Sequence, residues 1–208
     1  MEFLTADSPE YKTEIKRSEF ICIIKKVASE DEARAFIAER RKIHSLATHN
    51  CYAYIVSEGG TERVRYSDDG EPQGTAGQPI LNVLKNKGFK NVVAVVTRYF
   101  GGVKLGAGGL VRAYSEACAG AAAVAKVLKC VLCSKFLAEF TYENYKKFSA
   151  FRLPENARVC ETEYGEKVSL SLIVKKEDSE SFLSSFNDFF CKKQAISPLS
   201  DVWADFEV

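Results

Sequence analysis

NVVAVVTRYFGGVKLGAGGLVRAY, residues Asn91 to Tyr114, is the stretch on which the fold turns. Its opening run of Val and Ala lacks polar alternation and predicts a strand buried on both faces. The run ends on Thr97, Arg98, Tyr99 and Phe100. A loop then carries Gly101, Gly102, Gly106, Gly108 and Gly109, with Lys104 at its middle, and a helix is expected from Leu110 to about Leu128. Strand, glycine loop and helix in this order let backbone N–H groups gather around an anion at a helix N-terminus.

Charge points the same way. Between Pro72 and Arg112 stand Lys85, Lys87, Lys90, Arg98, Lys104 and Arg112 with no Asp or Glu, in a chain of 29 basic and 28 acidic residues. Arg98, Lys104, Arg112 and the amides of the glycine loop are therefore the candidate anion or nucleic-acid ligands. A tight structural loop with solvated charges is the competing reading. Tyr99 and Phe100 could stack bases of single-stranded RNA or belong to the core.

Working outward, Tyr11 to Val27 predicts two short strands, TEIKR and EFICIIKK. Ser29 reads as the N-cap of a helix to about Lys42, with Glu30, Asp31 and Glu32 in its first turn and Ala33, Phe36 and Ile37 on one face. His44, at its end, reads as a surface residue. HNCYAYIVS and ERVRYSD read as a hairpin turning at Glu58-Gly59-Gly60. SDDGEPQGTAG is a surface loop rich in turn residues. Thr75 is expected to cap a helix through about Asn86 that Gly88 stops.

Two constellations accompany the glycine loop. Asp68, Asp69 and Glu71 suit either turn chemistry or acid–base work, and one of them would hold the loop if paired with Arg98 or Lys104. His49 and Cys51 alternate on one strand and share a face, as a nucleophile and base, half a metal site, or a structural pair. Cys130 and Cys133 form a C-x-x-C pair with no second pair and no thioredoxin-like context, so an incidental pair is expected. No metal and no cofactor are expected, and no catalytic residue is assigned.

VVTRYFGGVKLGAGGLVRAY, preceded by YSDDGEPQGTAGQPIL at Tyr66 to Leu81 and HNCYAY at His49 to Tyr54, closely resembles the IMPACT/YigZ family. The resemblance implies a two-domain α+β protein linked to translation: an Impact-type domain over 1–130 and a smaller one over 135–208. The first resembles the architecture shared by GHMP kinases and a ribosomal protein domain, built on a βαβ unit. KLGAGGLVRAY departs from the kinase motif, since no Ser follows its glycines to assist a magnesium ion. Phosphate binding is the expectation, not phosphoryl transfer. The resemblance implies RNA, the ribosome or a translation-related protein as partner. Eukaryotic relatives restrain a stress kinase by competing for its activating scaffold, so a pure protein-interaction module is a further alternative. A small-molecule enzyme acting on a phosphorylated or nucleotide ligand is the alternative.

Beyond Lys135 the pattern predicts strand FLAEFTY, helix ENYKKFSAF, strands RVCETEY and KVSLSLIVK meeting at Gly165-Glu166, a helix from about Asp178 to Lys193 ending in Lys192-Lys193, and a strand near Ser200 to Phe206. That β-α-β-β-α-β order is the ferredoxin-like plan and resembles a domain of elongation factor G. Residues 1–134 hold 19 basic against 15 acidic side chains and residues 135–208 hold 10 against 13, so a polyanion should meet the first part. The N-terminus carries no basic region leading into an apolar core, no apolar stretch is long enough to span a bilayer, and the seven cysteines are odd in number. A cytoplasmic protein away from the membrane is expected.

Overall fold

The computed structural model describes residues 2–58, 61–191 and 195–207. The Gly59-Gly60 turn and the Lys192-Lys193 helix end therefore lie outside the described residues. By compactness the chain divides into two units, Phe3–Lys129 and Cys130–Phe206.

The first unit runs β1 (Phe3–Asp7), β2 (Tyr11–Ile15), β3 (Ser18–Lys26), α1 (Glu30–Ile43), β4 (His49–Glu58), β5 (Thr61–Ser67), α2 (Gly77–Asn86), β6 (Val92–Tyr99) and α3 (Ala107–Val124). Its five-stranded sheet has the order β2-β3-β6-β4-β5, every pairing antiparallel. Because β3 and β4 both run against β6, they are parallel to each other, and α1 makes their crossover around the inserted central strand. The all-buried reading of the Val run holds: Val92 to Arg98 are buried. Val92, Ala94 and Val96 enter the core beneath α2 and α3, whereas Val93 and Val95 enter the smaller core beneath α1.

Helix ends follow local chemistry at some places and distant side chains at others. Ser29 caps α1 as expected, its hydroxyl accepting from the Glu32 amide at 3.1 Å. Thr75 does not cap α2, because its hydroxyl donates to Pro72 O at 2.6 Å. Asp68 Oδ1, eight and nine residues upstream, instead accepts from the Ala76 and Gly77 amides at 2.9 and 2.8 Å. Gly88, at φ 69°, ends α2 by donating to Lys85 O. Helix α3 starts three residues before Leu110, since Gly106 at φ 74° already turns the chain into its first turn. Its small face, Ala117, Cys118, Ala121 and Ala122, packs in the core.

His44 is not a surface residue. Arg40 Nη2 donates to His44 Nε2 at 2.6 Å, which leaves Nδ1 protonated to donate to Tyr99 Oη at 2.9 Å. Burial and the neighbouring Arg40 charge together hold its pKa below the ordinary histidine value.

In the second unit β7 (Lys126–Phe140) precedes α4 (Tyr142–Phe148), β8 (Ala157–Tyr164), β9 (Val168–Lys175), α5 (Ser179–Phe189), β10 (Ala195–Pro198) and β11 (Val202–Glu207). The division between the units falls within this strand, between Lys129 and Cys130, and the expected boundary residues 130–135 follow it directly. β8 pairs with β9, β9 with β7, and β10 and β11 with β7. The β-α-β-β-α-β order is present, with β10 as an additional short strand. Phe136, Phe140, Phe182, Phe186 and Phe190 dominate its core.

Candidate functional site

Strand β6, the loop after β5 and the N-terminus of α3 converge on a cleft of about 440 Å³. Thr48, His49, Glu71, Pro72, Arg98 and Phe100 line it together with Lys104, Leu105, Gly106, Ala107 and Leu110. Chain segments far apart in sequence thus meet because β4 and β6 are neighbours, with His49 directly opposite Arg98.

At the base of the cleft lies a buried polar cluster. Glu71 is 8% exposed and Arg98 5% exposed. Arg98 Nη1 donates to Glu71 Oε1 at 2.6 Å and Nη2 to Ser18 Oγ at 3.3 Å, while its guanidinium lies 5.4 Å from the ring centres of both Phe20 and Phe100. Tyr114 Oη donates to the same Glu71 oxygen at 2.8 Å. A buried carboxylate paired this way leaves Arg98 a structural cation, and removing either partner would strand the other in low dielectric. Arg98 is therefore not the free anion ligand that its sequence suggested.

The carboxylate loop is built by turn chemistry. Asp68 spends both oxygens on main-chain amides, Oδ2 accepting from Gly74 at 2.8 Å and Oδ1 capping α2. Asp69, at φ 45°, accepts from the Asn50 amide at 2.7 Å and from Arg41 at 2.6 Å. Neither lines the cleft; together they set the loop from which Glu71 enters it. His49 Nδ1 meets the Asp69 carbonyl at 2.8 Å and so must donate, placing the lone pair on Nε2, 3.8 Å from Glu71 Oε1. Cys51 is fully buried, donating to Asp68 O and lying 3.4 Å from Tyr114 Oη. Burial pushes both the Cys51 thiol and the Tyr114 phenol well above their ordinary values, so neither supplies a ready nucleophile.

The glycines separate by role. Gly101 sits against the β2–β3 turn, where a Cβ would lie 1.8 Å from Arg17 O. Gly102, at φ 83°, continues the loop, and Gly106 is the N-cap of α3. Gly108 and Gly109 belong to the first turn of the helix, not to the loop. That turn has no side-chain cap and no acidic residue. Lys104 is exposed and lines the cleft, whereas Arg112 does not, because it lies away from the buried face carrying Leu110, Ala113 and Tyr114. Of the six window cations, Arg98 pairs with Glu71 and Lys90 with Glu62 at 2.7 Å. Both partners lie before the acid-free window, Glu71 next to its first residue and Glu62 in β5, so the sequence overstates the free charge. Sequence pattern does not point to Tyr114 directly, although a tyrosine on the buried face of a helix needs a partner for its hydroxyl. Phe100 is 47% exposed at the cleft and Tyr99 is occupied by His44. Among the described residues, no cluster of three or more His, Cys, Asp or Glu is arranged to hold a metal, and no helix is long and apolar enough to cross a membrane.

Residues 16–122 match the family of the Impact N-terminal domain. The IMPACT family member YvyE of Bacillus subtilis is 39% identical over 188 residues, 86% of this chain and 82% of that protein. The IMPACT family member YigZ of Escherichia coli is 43% identical over 102 residues, about half of each chain, 49% and 50%. A crystal structure of a hypothetical protein superposes with a TM-score of 0.61 at 27% identity, covering 96% of this chain and 98% of its own. The domain that bears the cleft, and a relative matched along most of its length, place this chain in the IMPACT family.

Proposed function

We propose that this chain is a translation-associated regulatory protein whose N-terminal unit binds an anionic partner, RNA or a ribosome-associated surface, at the Lys104 cleft. The observation that carries the reading is the uncapped first turn of α3 opening beside the exposed Lys104. First-turn amides without side-chain acceptors, with no carboxylate nearby on the helix, favour a phosphate oxygen. Gly108 adds support: a Cβ there would meet nothing within 4 Å, and its φ is not in the left-handed region. Glycine in a helix costs about 1 kcal/mol relative to alanine, and no packing in the fold requires it. Close approach of a ligand to the first turn would account for it. Phe100 supplies an exposed ring for a base.

The translation link comes from the resemblance to the family, and the anion site from charge and helix geometry. In the same reading the first unit is an Impact-type domain akin to the ribosomal-protein and GHMP-kinase architecture. The second, over 135–208, is ferredoxin-like and akin to a domain of elongation factor G. A cytoplasmic setting accords with seven free thiols. The role is binding, and no residue of the cleft is assigned to catalysis.

The volume of the cleft also suits a phosphorylated small molecule, which is the second reading. Binding of purified protein to total RNA and to ribosomes, with Lys104→Glu alongside, tests the first. Loss of binding in the variant supports it; equal binding by both proteins refutes it.

A further inference from the structure

Glu71 is more than nine-tenths buried, and its Oε1 is saturated by Arg98 and Tyr114. Its Oε2 takes no hydrogen bond from any described residue, although Glu71 lines the cleft. Beside it, His49 is locked with Nδ1 donating to the Asp69 carbonyl, which leaves the Nε2 lone pair unused and 3.8 Å from Oε1. Two neighbouring acceptors, both held in place and neither supplied with a proton by the protein, stand in a cleft that also holds Lys104, the open α3 terminus and the exposed Phe100 ring. Both atoms stand at the wall of the cleft, where a ligand donor can take the place of water.

We infer that this cleft seats a single nucleotide unit with guanine as its preferred base. The inference rests on the anion reading above and names the ligand of that same site. Phosphate meets Lys104 and the first amides of α3, the base lies against Phe100, and its donor edge meets Glu71 Oε2 and His49 Nε2. Guanine alone among the four bases presents two adjacent donors, the ring N1–H and the exocyclic amine. Uracil offers one N–H between two carbonyls. Adenine and cytosine each set an amine beside a ring nitrogen lone pair, which would face one of the two protein acceptors. Recognition is non-covalent.

The test is calorimetric titration of the full chain with the 5′-monophosphates of guanosine, inosine, adenosine, cytidine and uridine. Single-stranded RNA hexamers of guanosine and of adenosine are titrated in parallel. Guanosine monophosphate should bind about tenfold or more tightly than the adenosine, cytidine and uridine compounds. Inosine monophosphate, which lacks only the exocyclic amine, should fall between. The hexamer arm decides whether the site takes a free nucleotide or a strand: tighter binding of the guanosine hexamer than of the mononucleotide assigns it to RNA, and the reverse to a small ligand. His49→Asn keeps a donor for the Asp69 carbonyl and removes the Nε2 acceptor, so it should cut the guanine preference to about threefold or less. Lys104→Ala should weaken all five mononucleotides alike and preserve their order. Equal binding of all the nucleotides overturns the inference, as does a guanine preference untouched by His49→Asn. If RNA binding is Lys104-dependent but indifferent to base, the guanine site is wrong and the anion site stands. If neither RNA nor any nucleotide binds, both fall. The inosine comparison is made on unaltered protein and so does not depend on any variant folding.

Discussion

Replacing Asp68 with alanine should destabilise the N-terminal unit by about 2–3 kcal/mol, through main-chain amides and not through lost chemistry. Asp68 Oδ1 accepts from the part-buried amides of Ala76 and Gly77, and Oδ2 from the exposed amide of Gly74. Water can replace the carboxylate at Gly74, so little is lost there. The other two amides open α2, and a hydrogen bond to a charged group contributes about 1.5–3 kcal/mol, tempered toward the 0.5–2 kcal/mol range of helix-cap replacements. Asp68→Asn retains one oxygen for both α2 amides and should cost about 1 kcal/mol. The only tryptophan, Trp203, lies in the other unit, so its fluorescence is the wrong probe. Urea unfolding followed by far-UV circular dichroism, with hydrogen exchange at the Ala76 and Gly77 amides, reads the correct unit. An alanine variant within 0.5 kcal/mol of the parent, or unchanged protection at those two amides, would refute the capping role.

Glycine substitutions should divide sharply. Gly101→Ala drives a Cβ to 1.8 Å from a backbone oxygen and should cost about 3 kcal/mol, a fall in Tm on the order of 10 °C by scanning calorimetry. Gly108→Ala should leave Tm unchanged or raise it slightly, while weakening RNA or nucleotide binding. Acid should destabilise the Glu10–Arg40–His44 cluster in two stages. His44 has its pKa lowered by burial and by Arg40, so the unfolded chain takes up its proton first and stability falls as the pH drops below about 6.5. Glu10 has its pKa lowered by the Arg40 hydrogen bond, so its contribution is present above about pH 4.3 and is lost as the pH falls through the depressed value. Denaturant midpoints measured from pH 7 to pH 3 should show both stages. Glu10→Gln should shrink the lower one, the rest belonging to groups such as Glu30, whose pKa is lowered by Tyr54 and Arg34. It should also deepen the His44 stage, since Glu10 holds the His44 pKa up.

What the sequence discloses is mostly local. Eight residues of Val, Ala and Thr-Arg-Tyr suffice to place the central strand, because only a strand covered on both sides tolerates such a run. The Ser29 cap is equally plain, since donor and acceptor are three residues apart. Partnerships made across the sheet are not visible in this way. The Glu71 partner of Arg98 and the His44–Tyr99 bond join segments brought together by the β6-β4-β5 order. The Asp68 cap on α2 spans eight and nine residues of irregular loop, to which no spacing rule applies. Charge counting failed at Arg98 for that reason: its carboxylate stands one residue before the window and arrives through a loop. The start of α3 is hidden in the sequence because Gly108 and Gly109 are poor helix formers, and the four residues of β10 are too few for alternation to show. Of the candidate site residues, Lys104, Gly106, His49, Glu71 and Arg98 come together at the cleft, whereas Asp68, Asp69, Gly101, Gly102, Gly108 and Gly109 build its surroundings and Arg112 lies apart.

The measurement that bears most directly on the anion site is the salt dependence of binding to single-stranded RNA. Log affinity against log salt should fall linearly, by about 0.7 per neutralised phosphate. Lys104→Ala should lower that slope by about one such step, while Gly108→Ala should weaken binding and leave the slope as it is, since it blocks amides and removes no charge. Binding that is absent at low salt, or whose slope is the same with and without Lys104, would contradict the placement of the anion at the start of α3.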